Sequence, residues 1–136
     1  NNLLDPEDYD SIEGEYYGVD VKVNEDGSIT LDGKATNYFE LTLADLASPD
    51  LYGAYLTFSG FSFGEDAPGA FAIVDDDTDT YIVSEGYTST VLLNVGDIEG
   101  GLILNLEISV SSGDEFDNVT IYPMLNYGIT AEPYFK

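Results

Sequence analysis

The chain has 136 residues, with 27 Asp and Glu against three lysines and no His, for a formal charge of −24. Binding of DNA, RNA or an anionic membrane needs cations on phosphates, and Lys22, Lys34 and Lys136 cannot build such a surface. The absence of Cys and His excludes disulfides, Cys-based zinc sites and any nucleophile that relies on an imidazole base.

The length is that of one domain, long enough to bury roughly two-thirds of its unfolded surface. Hydrophobic residues make up 43% and alternate cleanly, so the charge does not imply disorder. No apolar run approaches the roughly 18 residues of a membrane span. The first residues lack the basic and apolar regions of a signal peptide, and there is no initiator Met. This reads as a processed chain or a piece of a longer one.

Residues 1–15 are acidic and poorly periodic, and read as an arm or loop-rich lead-in. From Tyr16 the period becomes 2. Val19, Val21 and Val23 alternate with Asp20 and Lys22, Gly27 ends an Asn24-Glu25-Asp26 turn, and Ile29 and Leu31 continue, which predicts a hairpin. Phe39, Leu41 and Leu43 share one face of a strand, and 44–50 reads as a connection. Residues 52–59 form a strand with Leu56 and Phe58 on one face and Tyr55 and Thr57 on the other. Short strands follow at 70–74, 81–84 and 88–95, with an acidic turn at 75–79.

The cleanest signal is Leu102, Leu104, Leu106, Ile108 and Val110 alternating with Ile103, Asn105, Glu107 and Ser109. The apolar set should face inward on a central strand, with Ile29, Leu31, Leu56, Phe58, Val91, Leu93 and Ile121 lining the same core. Residues 111–118 read as an acidic loop, and 119–125 as a last strand with Pro123 marking an edge or bulge. Eight to nine short strands without an amphipathic helix predict an all-β, antiparallel β-sandwich of jelly-roll type, spanning 16–136 behind the 1–15 lead-in.

Three stretches, VNEDGSITLDG at 23–33, LYGAYLTFSG at 51–60 and VTIYPML at 119–125 with the 128–134 tail, together resemble jelly-roll domains of phage and prophage tail or receptor-binding proteins. Those domains are similar to carbohydrate-binding modules. The resemblance implies a virion or extracellular surface module with a glycan or host-surface polysaccharide as ligand, and other virion or parent-protein subunits as partners. It also implies a structural Ca²⁺ near the first and last strands, for which Glu13, Glu15 and Asp117 are the candidates. The chain departs from that pattern in its acidity and in having no Trp.

Two kinds of residue could carry the binding. Asp75, Asp77 and Asp79 have the alternate spacing of a calcium loop. Thr80 and the early Glu85 exclude an EF-hand and leave an oxygen cage or a solvated turn. Tyr is frequent, at 11 residues. A phenol ring offers a face for sugar CH groups while carboxylates take their hydroxyls. Tyr52, Tyr55, Tyr81, Tyr87, Tyr122 and Tyr127 are the candidates, against a plain role in sheet packing. Phe61 and Phe63 plug the end of the sandwich or contact a neighbouring subunit. Nothing singles out a catalytic carboxylate pair and no phosphate-binding loop is present, so the reading is a non-enzymatic binding module. The alternative is a decoration, fibre or baseplate domain that touches only protein.

Self-repulsion among so many carboxylates weakens the compact state when screening is poor. The melting temperature is therefore expected to rise as NaCl goes from low to physiological concentration. A flat response would show that the acids are dispersed or already compensated.

Overall fold

The computed structural model describes residues 2–47, 55–60, 70–75, 80–85, 89–92, 103–128, 130 and 132–134. Eleven strands lie among them, with one short helix and one 3₁₀ turn, and every strand pair is antiparallel. The protein is mostly β. No helix among the described residues is long and apolar enough to cross a membrane.

The strands are β1 (Gly14–Tyr16), β2 (Val19–Val23), β3 (Ile29–Lys34), β4 (Phe39–Ala47), β5 (Tyr55–Ser59), β6 (Ala70–Asp75), β7 (Thr80–Glu85), β8 (Ser89–Leu92), β9 (Ile103–Val110), β10 (Glu115–Ile121) and β11 (Met124–Tyr127). They pair in the orders β1-β2-β3-β10, β4-β9-β6-β7 and β11-β5-β8. The count exceeds the expected eight to nine for local reasons. β1 falls in the stretch read as a lead-in, and β10 begins inside the stretch read as an acidic loop. Pro123 cannot donate to a ladder, so the closing stretch divides into β10 and β11 rather than running through. β4 also reaches Ala47, beyond the expected connection, because it pairs with β9 as far as Ala47–Ile103 around a bulge between Thr42 and Ala44.

The expected hairpin forms, with Val21 opposite Leu31 and Val23 opposite Ile29. Val19, Val21, Ile29 and Leu31 are buried while Asp20, Lys22 and Asp32 are exposed, so period 2 separates core from water. The apolar faces of the first and second sheets meet in one cluster. Phe39, Leu41, Leu43, Leu106, Ile108 and Val110 lie on one side, and Val19, Val21, Ile29, Leu31, Phe116 and Ile121 on the other. Leu93 and Leu102 lie outside the described residues. On β9 Glu107 is also buried, at 5% exposure. Leu106 and Ile108, which point to the other face, are buried too, so this inner strand, flanked by β4 and β6, is covered on both faces here rather than one. β5 departs from expectation too. Thr57 is fully buried, opposite the buried Asn126, and its hydroxyl donates to the Gly128 carbonyl at 2.7 Å.

The acidic N-terminal stretch packs into the body of the molecule. Asp5 caps helix α1 (Pro6–Tyr9) by accepting from the Glu7 N–H at 3.0 Å, and Pro6 sits in the first turn, where a missing N–H costs nothing. Leu4, Tyr9 and Ile12 join the central cluster. The Asn2 side chain ties the start to the closing strand. Its Nδ2 donates to the Pro123 carbonyl, and its Oδ1 accepts from the N–H groups of Leu4 and Leu125, each at 3.1 Å. The Leu3 N–H donates to the Leu125 carbonyl at 2.7 Å.

Both ends then grip the β2–β3 turn. The Tyr9 hydroxyl donates to the Gly27 carbonyl at 2.7 Å and the Tyr134 hydroxyl to the Asp26 carbonyl at 2.6 Å. Gly27 has φ +86 and closes a three-residue loop. A β-carbon there would lie 2.7 Å from both Pro6 Cγ and the Tyr134 hydroxyl, so packing demands glycine as strongly as the dihedral does.

Burial, and then the nearby Tyr134, Asp5 and Asp26, push the Tyr9 phenol well above its ordinary value of 10. Its neutral form is therefore favoured in the folded state, and that contribution is complete below pH 10 and lost as pH rises beyond it. Tyr9→Phe is expected to cost about 1–2 kcal/mol at neutral pH. The difference from the parent should shrink above about pH 10. Urea titrations across pH check this, and a pH-independent difference would contradict it.

Candidate functional site

β1 and β2 are joined by a two-residue turn, Tyr17-Gly18, with φ +49 and +93. Left-handed geometry at both central positions suits the twist of a hairpin and favours Asn-Gly. A tyrosine in the first position carries strain. Neighbours impose the geometry. The Tyr17 carbonyl accepts from the Thr36 N–H at 2.9 Å and from its hydroxyl at 3.1 Å. A β-carbon on Gly33 would fall 2.1 Å from the Gly18 carbonyl oxygen, and one on Gly18 would fall 2.6 Å from that of Lys34.

The strained turn holds its ring outward. Tyr17 is 53% exposed, and its ring centroid lies 6.3 Å from that of Phe39. Phe39 is buried and is also stacked by Tyr16 at 5.3 Å and 16°. The Tyr16 hydroxyl is anchored on the Ile12 carbonyl at 2.7 Å. Phe39 thus acts as a fixed pedestal. Immediately before it Tyr38 is 44% exposed, two residues after Thr36, with its N–H on Asn37 Oδ1 at 2.8 Å. The Tyr38 hydroxyl donates to Glu40 Oε1. Tyr38 and Glu40, two residues apart and both exposed, share the face of this stretch opposite the buried Phe39, whereas Tyr17 lies against Phe39 itself.

One register step behind this turn, Glu15 stands opposite Asp20, and Asp20 opposite Asp32. All three are exposed and share one face of the sheet. Asp32 Oδ1 accepts from the N–H of Asn118, which takes φ +50 at the β10 bulge. Lys22 lies beyond Asp20 on the same strand, opposite Thr30, and Lys34 lies opposite Glu115.

At the far end of the sheet is a groove of about 570 Å³ with Asp5, Glu7, Asp10 and Glu25 on its walls and Leu4 and Pro6 among its apolar lining. Beside the gripped turn, Tyr122 is 45% exposed and packs edge-on against Tyr134 at 5.3 Å.

Of the candidate tyrosines, Tyr122 is exposed as its reading requires. Tyr55 lies on β5, Tyr81 on β7 and Tyr127 on β11. Tyr52 and Tyr87 lie outside the described residues, as do Phe61 and Phe63. Of the candidate metal ligands, Asp75 ends β6, and Asp77 and Asp79 lie outside the described residues. Glu13, Glu15 and Asp117 are not brought together. Glu15 on β1 and Asp117 on β10 occupy opposite edges of a four-stranded sheet, about 14 Å apart at ordinary strand spacing. Glu13 instead accepts from the Val23 N–H at 3.1 Å. Among the described residues no group of three or more acids is placed to hold a metal ion. Tyr17 and Tyr38 were not among the residues singled out from the sequence. The signal for the first was a Tyr-Gly pair set directly before the alternating run that starts at Val19.

No protein-family model, curated protein or solved structure matches the chain. The likeness to phage-tail modules rests on the three sequence stretches alone.

Proposed function

We propose that this chain is a non-enzymatic jelly-roll β-sandwich module that binds carbohydrate at a virion or extracellular surface, with the Tyr17 ring on its Phe39 pedestal as the platform. The observation that carries the reading is Tyr17. An aromatic residue occupies a left-handed turn position that Asn or Gly would fill with less strain, and its ring is still half in water. A ring placed so is oriented for a partner from outside, and a backing by Phe39 limits the ordering cost on binding. Sugar CH faces stack on such rings, and Asn37, next to the Thr36 that holds the turn, offers an amide of the type that bonds sugar hydroxyls. A core that joins two antiparallel sheets supports the sandwich part of the reading.

Tyr17→Asn keeps a residue suited to the turn and removes the ring. Glycan-array and calorimetric binding are expected to fall at least tenfold in this variant, on the order of the one to three kcal/mol an aromatic stacking contact is worth. Its stability should stay within about 1 kcal/mol of the parent, because relief of the turn offsets the lost contact with Phe39. Undiminished binding in Tyr17→Asn would overturn the platform. An array with no bound glycan would favour the protein-contact alternative.

A further inference from the structure

We infer that the Asp26–Gly27 peptide is a site of covalent self-modification, the isomerisation of Asp26 to an isoaspartyl linkage, and that the Tyr134 hydroxyl is the latch that keeps it closed. The chain has two Asp-Gly pairs, Asp26-Gly27 and Asp32-Gly33. Glycine leaves its own peptide nitrogen unshielded by any side chain. That nitrogen can attack the Cγ of the preceding aspartate when the carboxyl is protonated. The N–Cγ bond forms, the Cγ–OH bond breaks, and water departs with the proton of the nitrogen. Water then adds to the five-membered imide. Opening at the main-chain carbonyl carries the chain on through Cγ and lengthens the backbone by one methylene. Water is the sole co-reactant.

Ring closure uses the Gly27 N–H, the Asp26 carbonyl and the Asp26 carboxyl, and the fold holds all three. The Gly27 N–H donates to the Asn24 carbonyl at 2.9 Å, and the Tyr134 hydroxyl donates to the Asp26 carbonyl at 2.6 Å. Asp26 Oδ1 accepts from the Ser28 N–H at 2.9 Å and from the Ser28 hydroxyl. The nitrogen reaches Cγ only when the turn opens. Asn24 and Ser28 are local to the turn, but Tyr134 reaches it across 108 residues. Its release frees the peptide without unpairing a strand. Asp32-Gly33 is held differently, inside β3, where Gly33 stands opposite both Val19 and Phe116. Asp32 Oδ1 also accepts from the Asn118 N–H at 3.0 Å, so this pair opens only when the sheet does. At Gly27 even a β-carbon would lie 2.7 Å from Pro6 Cγ and from the Tyr134 hydroxyl. The crowded turn therefore has no room for a longer backbone, and modification turns a reversible opening into a permanent one.

The test incubates the intact chain, Tyr134→Phe, and each of them unfolded in guanidinium chloride, at about pH 5, where part of the carboxyl groups are protonated. Isoaspartate at each Asp-Gly pair is counted by peptide mapping with electron-transfer fragmentation. In the folded chain both pairs are expected to react at least about tenfold more slowly than in the unfolded one, because only opened molecules react. Tyr134→Phe keeps the ring against Tyr122 and removes only the hydroxyl. It should speed Asp26 by about threefold or more, the effect of one lost hydrogen bond on the opening equilibrium, and leave Asp32 unchanged. Reaction of Asp26 in the folded parent as fast as in the unfolded chain would overturn the shielding. An unchanged Asp26 rate in Tyr134→Phe would overturn the latch. An equal rise at Asp26 and Asp32 would show opening of the whole sheet and overturn it as well.

Discussion

The turn between β2 and β3 is held from both ends of the chain at once. The Tyr9 hydroxyl takes the Gly27 carbonyl and the Tyr134 hydroxyl takes its neighbour at Asp26. Two adjacent carbonyls that would otherwise face water or go unpaired are thereby satisfied, one of them by a fully buried phenol. Asn2 adds the third tie by bonding three backbone groups along the start and the closing strand. Each tie spans about a hundred residues of sequence or more except that of Tyr9, so each becomes favourable only after the sheets have assembled. The first sheet, the N-terminal turns and β11 therefore stand or fall together.

That arrangement makes the acidity tolerable. Leu4, Tyr9 and Ile12 deliver the apolar half of an acidic segment to the core, while Asp5, Glu7, Asp8 and Asp10 stay at the surface, where desolvation costs nothing. The same logic runs through the hairpin, where valines go in and Asp20 goes out. The residual cost is repulsion along the outer face, as in the Glu15–Asp20–Asp32 row. A core that joins two sheets can carry that cost and the strain at Tyr17 together. The platform thus depends on the body behind it: Phe39 is its pedestal, and Phe39 is fixed opposite Val110 on an inner strand of the second sheet.

What could be read from the chain alone was whatever followed from period 2. The hairpin, the inward faces of Leu106, Ile108 and Val110, and the all-β class all rest on local alternation. The departures were non-local. Glu107 alternates as a surface residue should, yet it sits on a strand flanked by β4 and β6 and is covered there. Thr57 is polar yet wholly buried because Gly128, 71 residues away, accepts its hydroxyl. Residues 1–15 lack any period, and their place in the core comes from Leu4 ahead of the helix, Tyr9 at its end and Ile12 at the end of a 3₁₀ turn, in elements too short to show one. The platform was hidden for a further reason. Exposure of Tyr17 follows from a turn geometry set by Gly18, Gly33 and Thr36, which meet only after the strands pair.

The central claim is that the acidic N-terminal segment is part of one cooperative body with the hairpin and the closing strand. Native-state hydrogen exchange by NMR tests it most directly. The amides of Leu3, Leu4, Gly27 and Leu125, all hydrogen-bonded, should open with the same free energy as the core amides of Val21 and Leu31, whose strands pair in the first sheet. Exchange of Leu3 and Leu4 through a separate low-energy opening, with Val21, Leu31 and Leu125 still protected, would contradict it.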